Sequence, residues 1–473
     1  MTRLTKALTV ACAVGAIVAN AVPASALARP AVPSDTTRLV TYRRGPLGAR
    51  ASRPSPASAS RAPGTGETPA FPDNSRALSD TTGAVIARVE RGTEAIRGLR
   101  ATRPVPVTLL APDAFRRLVK RDFERGTSAA DIRDMYQPLA LLGLLPLGTD
   151  LRRVLRDAEG ANVAAFYDPL VKRFYIPLRA GGLSLDDQVT ISHEYTHALQ
   201  DQTFDLSKVR PDPARQTIHN SDRQLAETAL IEGDATAEMT LYAQDTFSQA
   251  QYIEYEREAQ QAANGAGGRT PPFLLDGQLF PYDAGSIFET RLLVHTFAGV
   301  DFSDVNSAFR HPPVSTREIL HPEVYQANPT APAPDLAVPA PTLPAGWQRV
   351  DSDVFGEFQL QDMLAQRLDP GTAAGAADGW RADRYALFDR GADFLLAWRL
   401  RAASPAAART LTQALVAYMD ARYHAALSLS SATLTYAAPD SALALRLAGS
   451  DILVALGSRG VPRTEVTRAL ATM

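Results

Sequence analysis

The sequence predicts an α+β fold in two folded parts, and three observations carry that expectation. Two short β-like runs, Asn162–Tyr167 and Arg173–Leu178, stand directly before a helical stretch that starts at Ser184. A second long helical stretch, from Asn220 to about Gln249, carries small residues (Ala226, Ala229, Gly233, Ala235, Ala237) that let another helix approach closely. Beyond six prolines between Pro329 and Pro344, helix-like and strand-like segments alternate through 346–473.

The 473 residues suffice for two or three domains, each with its own core. Arg3 and Lys6 precede an uncharged, mainly apolar run from Ala7 to Val22, and Ala24-Ser25-Ala26 or Ala26-Leu27-Ala28 offers small residues for cleavage. Residues 1–28 therefore read as a signal peptide, with an uncleaved anchor as the alternative, and the protein is expected to be secreted or held in the cell envelope. No later segment is long and apolar enough for a membrane span, so none is expected after signal removal. The only cysteine, Cys12, lies in this signal, which leaves the mature chain without a disulfide or a thiolate ligand. Residues 1–61 carry nine Lys/Arg against one acid, leaving 40 basic and 50 acidic residues in the remainder. That acidic remainder gives no electrostatic case for nucleic acid.

Residues 29–82, rich in Pro, Ser, Ala and Arg, hold neither a period of 2 nor of 3.6 and read as a disordered linker or pro-segment. Folded structure is expected from Gly83, with a helix through Leu99. An edge-type strand should follow over Pro104–Leu110, because of its two prolines. Helices are expected at Pro112–Gly126 and Ala129–Leu142. The β-like runs on either side of Asp168-Pro169 make a hairpin. Ser184 and Asp187 provide a reciprocal cap for the helix running to about Gln202. After a Gly/Pro loop at 265–272, Phe280-Pro281-Tyr282-Asp283 opens a helix to about Phe297, and Ser315/Glu318 has the spacing of a capping box. Residues 326–345 form an extended connector. In the last part, helices at Phe355–Leu368 and Pro405–Leu427 are interleaved with strands at Tyr385–Phe388, Phe394–Leu400, Leu443–Leu447 and Ile452–Leu456. Nothing in this small α+β domain carries recognisable chemistry.

The chemistry sits at Ser192-His193-Glu194-Tyr195-Thr196-His197. Residues i and i+4 share a helix face, so His193 and His197 present two imidazoles to one point, with Glu194 beside it. Two His ligands and a Glu that activates water are the parts of a catalytic zinc site, which wants three protein ligands and one open position. The bland alternative is a surface helix with two unrelated histidines. The best third ligand is Glu232, in Glu227-Thr228-Ala229-Leu230-Ile231-Glu232-Gly233-Asp234-Ala235, 35 residues after His197 on the small-residue helix. Glu227, Asp222 and Asp234 compete with it.

With these residues in place, the chain resembles the thermolysin-like gluzincins, zincin metallopeptidases built on H-E-x-x-H and a helix-borne Glu. The resemblance covers about 193–234, and His193-Glu194-Tyr195-Thr196-His197-Ala198-Leu199-Gln200-Asp201 also has the acid four residues after the second His. More loosely, the Phe280–Tyr282 and Ser315–His321 segments resemble an uncharacterised secreted group of the same plan. The resemblance implies a zincin-like domain over 83–325, made of a small sheet, the active-site helix and a helical lobe. It also implies one Zn2+ per chain on His193, His197 and Glu232, with Glu194 as catalytic base. The match departs at Thr236, where the family places a supporting Asp; here the nearby acid is Asp234. Asp201 and Asp234 are candidates to support the ligands, and Tyr282 and His321 to donate to a tetrahedral oxyanion.

The expected function is zinc-dependent hydrolysis of a peptide or protein substrate by a water that Glu194 activates. The β-hairpin before the motif would supply a strand for an extended substrate to pair with. The alternative is a non-catalytic envelope binding protein with a structural metal, which would retain zinc and cleave nothing.

Overall fold

Among the residues that a computed structural model describes, the fold is α+β with three separate sheets of three, six and two strands. Those residues are 80–473 except 163–164, 178–181, 212–218, 266–269, 297–298, 425–432 and 439–440. The expected signal peptide and almost all of the expected linker lie outside them, as do the far ends of the expected Phe297 and Leu427 helices. No helix among the described residues is long and apolar enough to cross a membrane.

The described residues open on α1 (Asp80–Arg97) and β1 (Val107–Leu110). Pro104 and Pro106, which have no N–H to give a ladder, fall before β1 rather than in it. Next come α2 (Pro112–Gly126), α3 (Ala129–Leu142) and α4 (Leu151–Asn162), then β2 (Phe166–Asp168) and β3 (Arg173–Pro177). The sheet order is β1-β3-β2, with β1 parallel and β2 antiparallel to the central strand. The expected hairpin is β2–β3, and the Asp168 carboxylate closes its turn by accepting the N–H groups of Leu170 and Val171.

The motif helix is α5 (Leu185–Phe204), capped reciprocally by Ser184 and Asp187. After α6 (Leu206–Val209), α7 (Ser221–Thr246) begins with the Asn220 side chain accepting the N–H of Arg223. Then follow α8 (Gln249–Gly265) and α9 (Pro272–Leu292). Helix α9 starts eight residues earlier than the Phe280-Pro281 pattern suggests. Pro272 fits a first helical position, so the loop ends there, and Pro281 lies inside the helix. Its far end gives way to a hairpin, β4 (Val294–Thr296) and β5 (Gly299–Asp301), where helix was expected.

Helices α10 (Ser303–Arg310), α11 (Thr316–Leu320) and α12 (Pro322–Ala327) complete this half. The capping box expected at Ser315/Glu318 does not form. The Ser315 side chain makes no cap bond, and Glu318 accepts the N–H of Val314 instead.

Past the proline-rich connector, β6 (Gln348–Asp353), α13 (Gly356–Ala365), α14 (Pro370–Ala377), β7 (Trp380–Arg390), β8 (Asp393–Ala402), α15 (Pro405–Tyr423), β9 (Leu434–Ala438), β10 (Ser441–Ala448), β11 (Asp451–Ser458) and α16 (Arg463–Ala471) follow. The six strands form one antiparallel sheet in the order β6-β7-β8-β11-β10-β9.

Three apolar cores position the site. One joins α1, the small sheet and α5 to the far end of α7 through Met239, Tyr242 and Ala243. A second packs the near half of α7 (Leu225, Ala226, Ala229, Leu230, Ile231) against α9 and α10. The third lies on the large sheet and takes in Leu139, Leu141 and Leu142 from α3 and Leu151 and Leu155 from α4. The apolar core of the C-terminal part therefore extends across the boundary that the sequence suggested.

Candidate metal centre

Helices α7 and α9 cross where glycine lets their backbones come very close. Gly233 of α7 meets Gly285 of α9, and a Cβ at either position would overlap the other helix's backbone. This approach buries Glu232, its neighbour, completely.

His193, His197 and Glu232 converge there. The Nε2 atoms of the two histidines are 3.1 Å apart, and Oε2 of Glu232 lies 3.2 Å from the first and 3.3 Å from the second. Zinc bonds of about 2.1 Å at tetrahedral angles would separate their donor atoms by about 3.4 Å. The three separations are close to the donor spacing that one such cation requires. Glu232 Oε1 is buried and makes no hydrogen bond. The three residues thus form a possible metal-binding triad.

The tautomer of His197 follows from its neighbour. Gln200 gives its amide hydrogens to Ile231 O (3.0 Å) and Asp234 Oδ2 (2.8 Å), so its oxygen faces His197 Nδ1 at 2.9 Å. Nδ1 must then carry a proton, and Nε2 is the ring nitrogen that faces the triad. Asp234 in turn accepts from Arg97 Nε at 2.7 Å, both side chains fully buried. Arg97 also donates to Asn306 (2.9 Å) and lies over the Phe302 ring.

Glu194 is buried. One oxygen accepts the backbone N–H of Tyr167 at 2.8 Å, from the outer edge of β2, and the other has no partner. Burial pushes its carboxyl up to about 8, against the pull of His197. Burial lowers His193; it would lower His197 too, but Glu232 and Glu194 outweigh it and raise that ring to about 9. Glu232, despite burial, is held well below the usual carboxylate range by the two imidazoles. The second oxygen of Glu194 is thus buried without a hydrogen-bond partner on the helix that bears the two histidines.

The other expected site residues divide. The Tyr282 ring, almost fully buried, stacks 6.2 Å from His193. Asp234 reaches the site only through Gln200. Asp201 does not meet an imidazole; it accepts from Tyr167 Oη (2.7 Å) and pairs with Lys172 (2.6 Å). Both Gln200 and Asp201 lie one turn past His197, but the longer Gln reaches the ring while the Asp is drawn to the sheet. His321 belongs to a different cluster, with Glu357 at 2.6 Å and Asp378 at 3.7 Å. Arg317 pairs with both of those carboxylates, so a cation is already supplied there. Of the competing ligands, Glu227 pairs with Arg223 (2.7 Å) and Asp222 accepts from Thr316 (3.1 Å).

Sequence reasoning missed Gln200, Arg97 and the Tyr167 amide. Gln200 stood in the motif and carried a readable signal, an amide one turn from a ligand. Arg97 and Tyr167 are brought in only by tertiary packing.

Residues 343–466 match the model of a domain of unknown function, DUF8575, and the His193/His197/Glu232 triad lies outside that stretch. No curated protein and no solved structure matches the chain.

Proposed function

We propose that the protein is a secreted, zinc-dependent peptidase that hydrolyses peptide or protein substrates. The observation that carries this reading is the donor triangle of His193, His197 and Glu232 beside the unpartnered oxygen of Glu194. Two imidazoles and one carboxylate suit zinc, and a purely structural site would have no need of a neighbouring buried base. When bound, zinc would supply a Lewis acid that polarises the substrate carbonyl and lowers the pKa of water.

The chain's own residues do the rest. Glu194 Oε1 takes a proton from the attacking water and later delivers it to the leaving amine nitrogen, while Tyr167 N–H holds Oε2 still. Gln200 keeps the proton of His197 on Nδ1, so Nε2 remains a ligand throughout. Apart from the Tyr167 N–H, which Glu194 occupies, the outer edge of the hairpin is the candidate to pair with an extended substrate. Tyr282, beside His193, is the candidate oxyanion donor.

The test pairs elemental analysis with a peptide-library digest. The wild type should hold about one zinc per chain and cleave. Glu194→Gln should hold the same zinc and lose cleavage by about 100-fold or more. A variant that cleaves normally would rule out Glu194 as the base, and a zinc-loaded wild type with no substrate would favour a binding protein.

A further inference from the structure

The metal triad is drawn from two helices that are bonded to each other through Gln200 and Glu238 and are each anchored further in a different part of the fold. His193 and His197 sit on α5, which packs on α1 and the small sheet. Glu232 sits on α7, whose first turns are fastened to the C-terminal domain. Asp353, at the end of β6, accepts the N–H of Ser221 at 2.7 Å and also its hydroxyl, and is itself buried. Asp222, the next residue of α7, accepts the N–H and hydroxyl of Thr316. Gly356 lies against the same carboxylate with φ of 84°, and a Cβ there would overlap it. The hydroxyl of Thr316 then accepts the N–H of Phe358 at 3.1 Å.

Helix α9 is held by the same domain. Phe280 packs on Phe358 with ring centres 4.0 Å apart, and Phe273 stacks on Phe355. Because Gly285 of α9 abuts Gly233, beside Glu232, the domain reaches the third ligand by two routes. One runs along α7 and the other across α9, which also carries Tyr282.

We propose that the domain matched at 343–466 is a clamp for the metal centre: through Asp353, Gly356 and Phe358 it sets the position of α7 and α9, and so of Glu232, against the histidines of α5. These are positioning residues, and the inference rests on the metal reading above. It gives the domain a task in the chain's own chemistry rather than in binding a separate partner.

The test uses the full chain with Ser221→Ala, Gly356→Ala and, as a control, Val466→Ala in the core on the other face of the large sheet. Zinc affinity is measured by competition with a chromophoric chelator. Hydrogen exchange of the metal-free protein is followed in peptides covering 225–235 and 280–286. The clamp predicts about a 10-fold or greater loss of zinc affinity for Gly356→Ala, a smaller loss in the same direction for Ser221→Ala, and faster exchange in both peptides. Val466→Ala should lower the melting temperature without changing either readout. Should Gly356→Ala fail to fold, Ser221→Ala carries the comparison. Variants that melt earlier but bind zinc as the wild type does, with exchange changed only inside 343–466, would overturn the proposal. If the wild type binds no zinc, the metal reading fails, and the exchange data alone decide for or against the clamp.

Discussion

The backbone N–H of Tyr167 donates to Oε2 of Glu194 at 2.8 Å, so the edge strand fixes one oxygen of the proposed base and leaves its partner free. The full length of the Glu side chain is what spans from α5 to β2. Glu194→Asp removes one methylene and withdraws the carboxylate from that amide. Zinc content should be unchanged and kcat should fall by about 100-fold, since a misplacement of about 1 Å costs that much. Steady-state kinetics with elemental analysis check this; an Asp variant of near-normal kcat would show that the Tyr167 contact does not position the base.

Gln200 is predicted to matter through the tautomer of His197. In Gln200→Ala the ring loses its Nδ1 partner, and Asp234 and Ile231 O lose a donor. Zinc affinity should fall about 10- to 100-fold, the usual consequence of removing a group that orients a ligand. Chelator competition measures it, and an unchanged dissociation constant would leave Gln200 a packing residue.

How far these features were legible depends on the range of the interaction. The helix face shared by His193 and His197 and the cap of Ser184 with Asp187 are local geometry, so sequence spacing reveals them. Glu232 was preferred over Glu227 on the sequence and the resemblance, and the i,i+4 spacing of Arg223 and Glu227 on one helix already offers that competitor a partner. Arg97 meets Asp234 across 137 residues, a contact that no local pattern announces. The unread helix α8 is rich in charged or polar residues, with a weak apolar stripe to signal it, whereas α4 carries a readable stripe of Leu151, Leu155 and Ala158. Ser315 and Glu318 had capping-box spacing, yet Val314 N–H captures Glu318 while Thr316 is turned toward Asp222. Tertiary partners overrode a local signal there.

The Arg97–Asp234 pair lies fully buried behind Gln200. Arg97→Met would leave the Asp234 carboxylate in the interior without its cation, at a cost of about 3–5 kcal/mol. The double variant Arg97→Met/Asp234→Leu removes both charges and should recover most of that loss, because two apolar side chains avoid the desolvation of an ion pair. Urea midpoints of the wild type, both single variants and the double variant close the cycle. Strict additivity of the single losses would mean that the pair is not coupled.

Glu238 makes the fold sensitive to alkali. It is fully buried on α7, accepting from Ser192 (2.6 Å) and Thr196 (3.1 Å) while its other oxygen has no partner. Burial raises its carboxyl from an ordinary 4.5 to about 8, with the Asp234 charge adding to the shift and the two hydroxyls opposing it. Between those two pH values the folded chain holds a proton that the unfolded chain has released. Unfolding free energy from this group is therefore greatest below about 4.5 and falls as pH rises, by up to about 1.4 kcal/mol per pH unit. The loss is complete above about 8. Glu238→Gln keeps the shape and an acceptor for the hydroxyls but cannot ionise. Its stability relative to the wild type should improve steadily from about pH 5 to about pH 8 in urea titrations, as the linkage requires. A difference that stays constant across that range would mean that Glu238 does not titrate there in the folded protein.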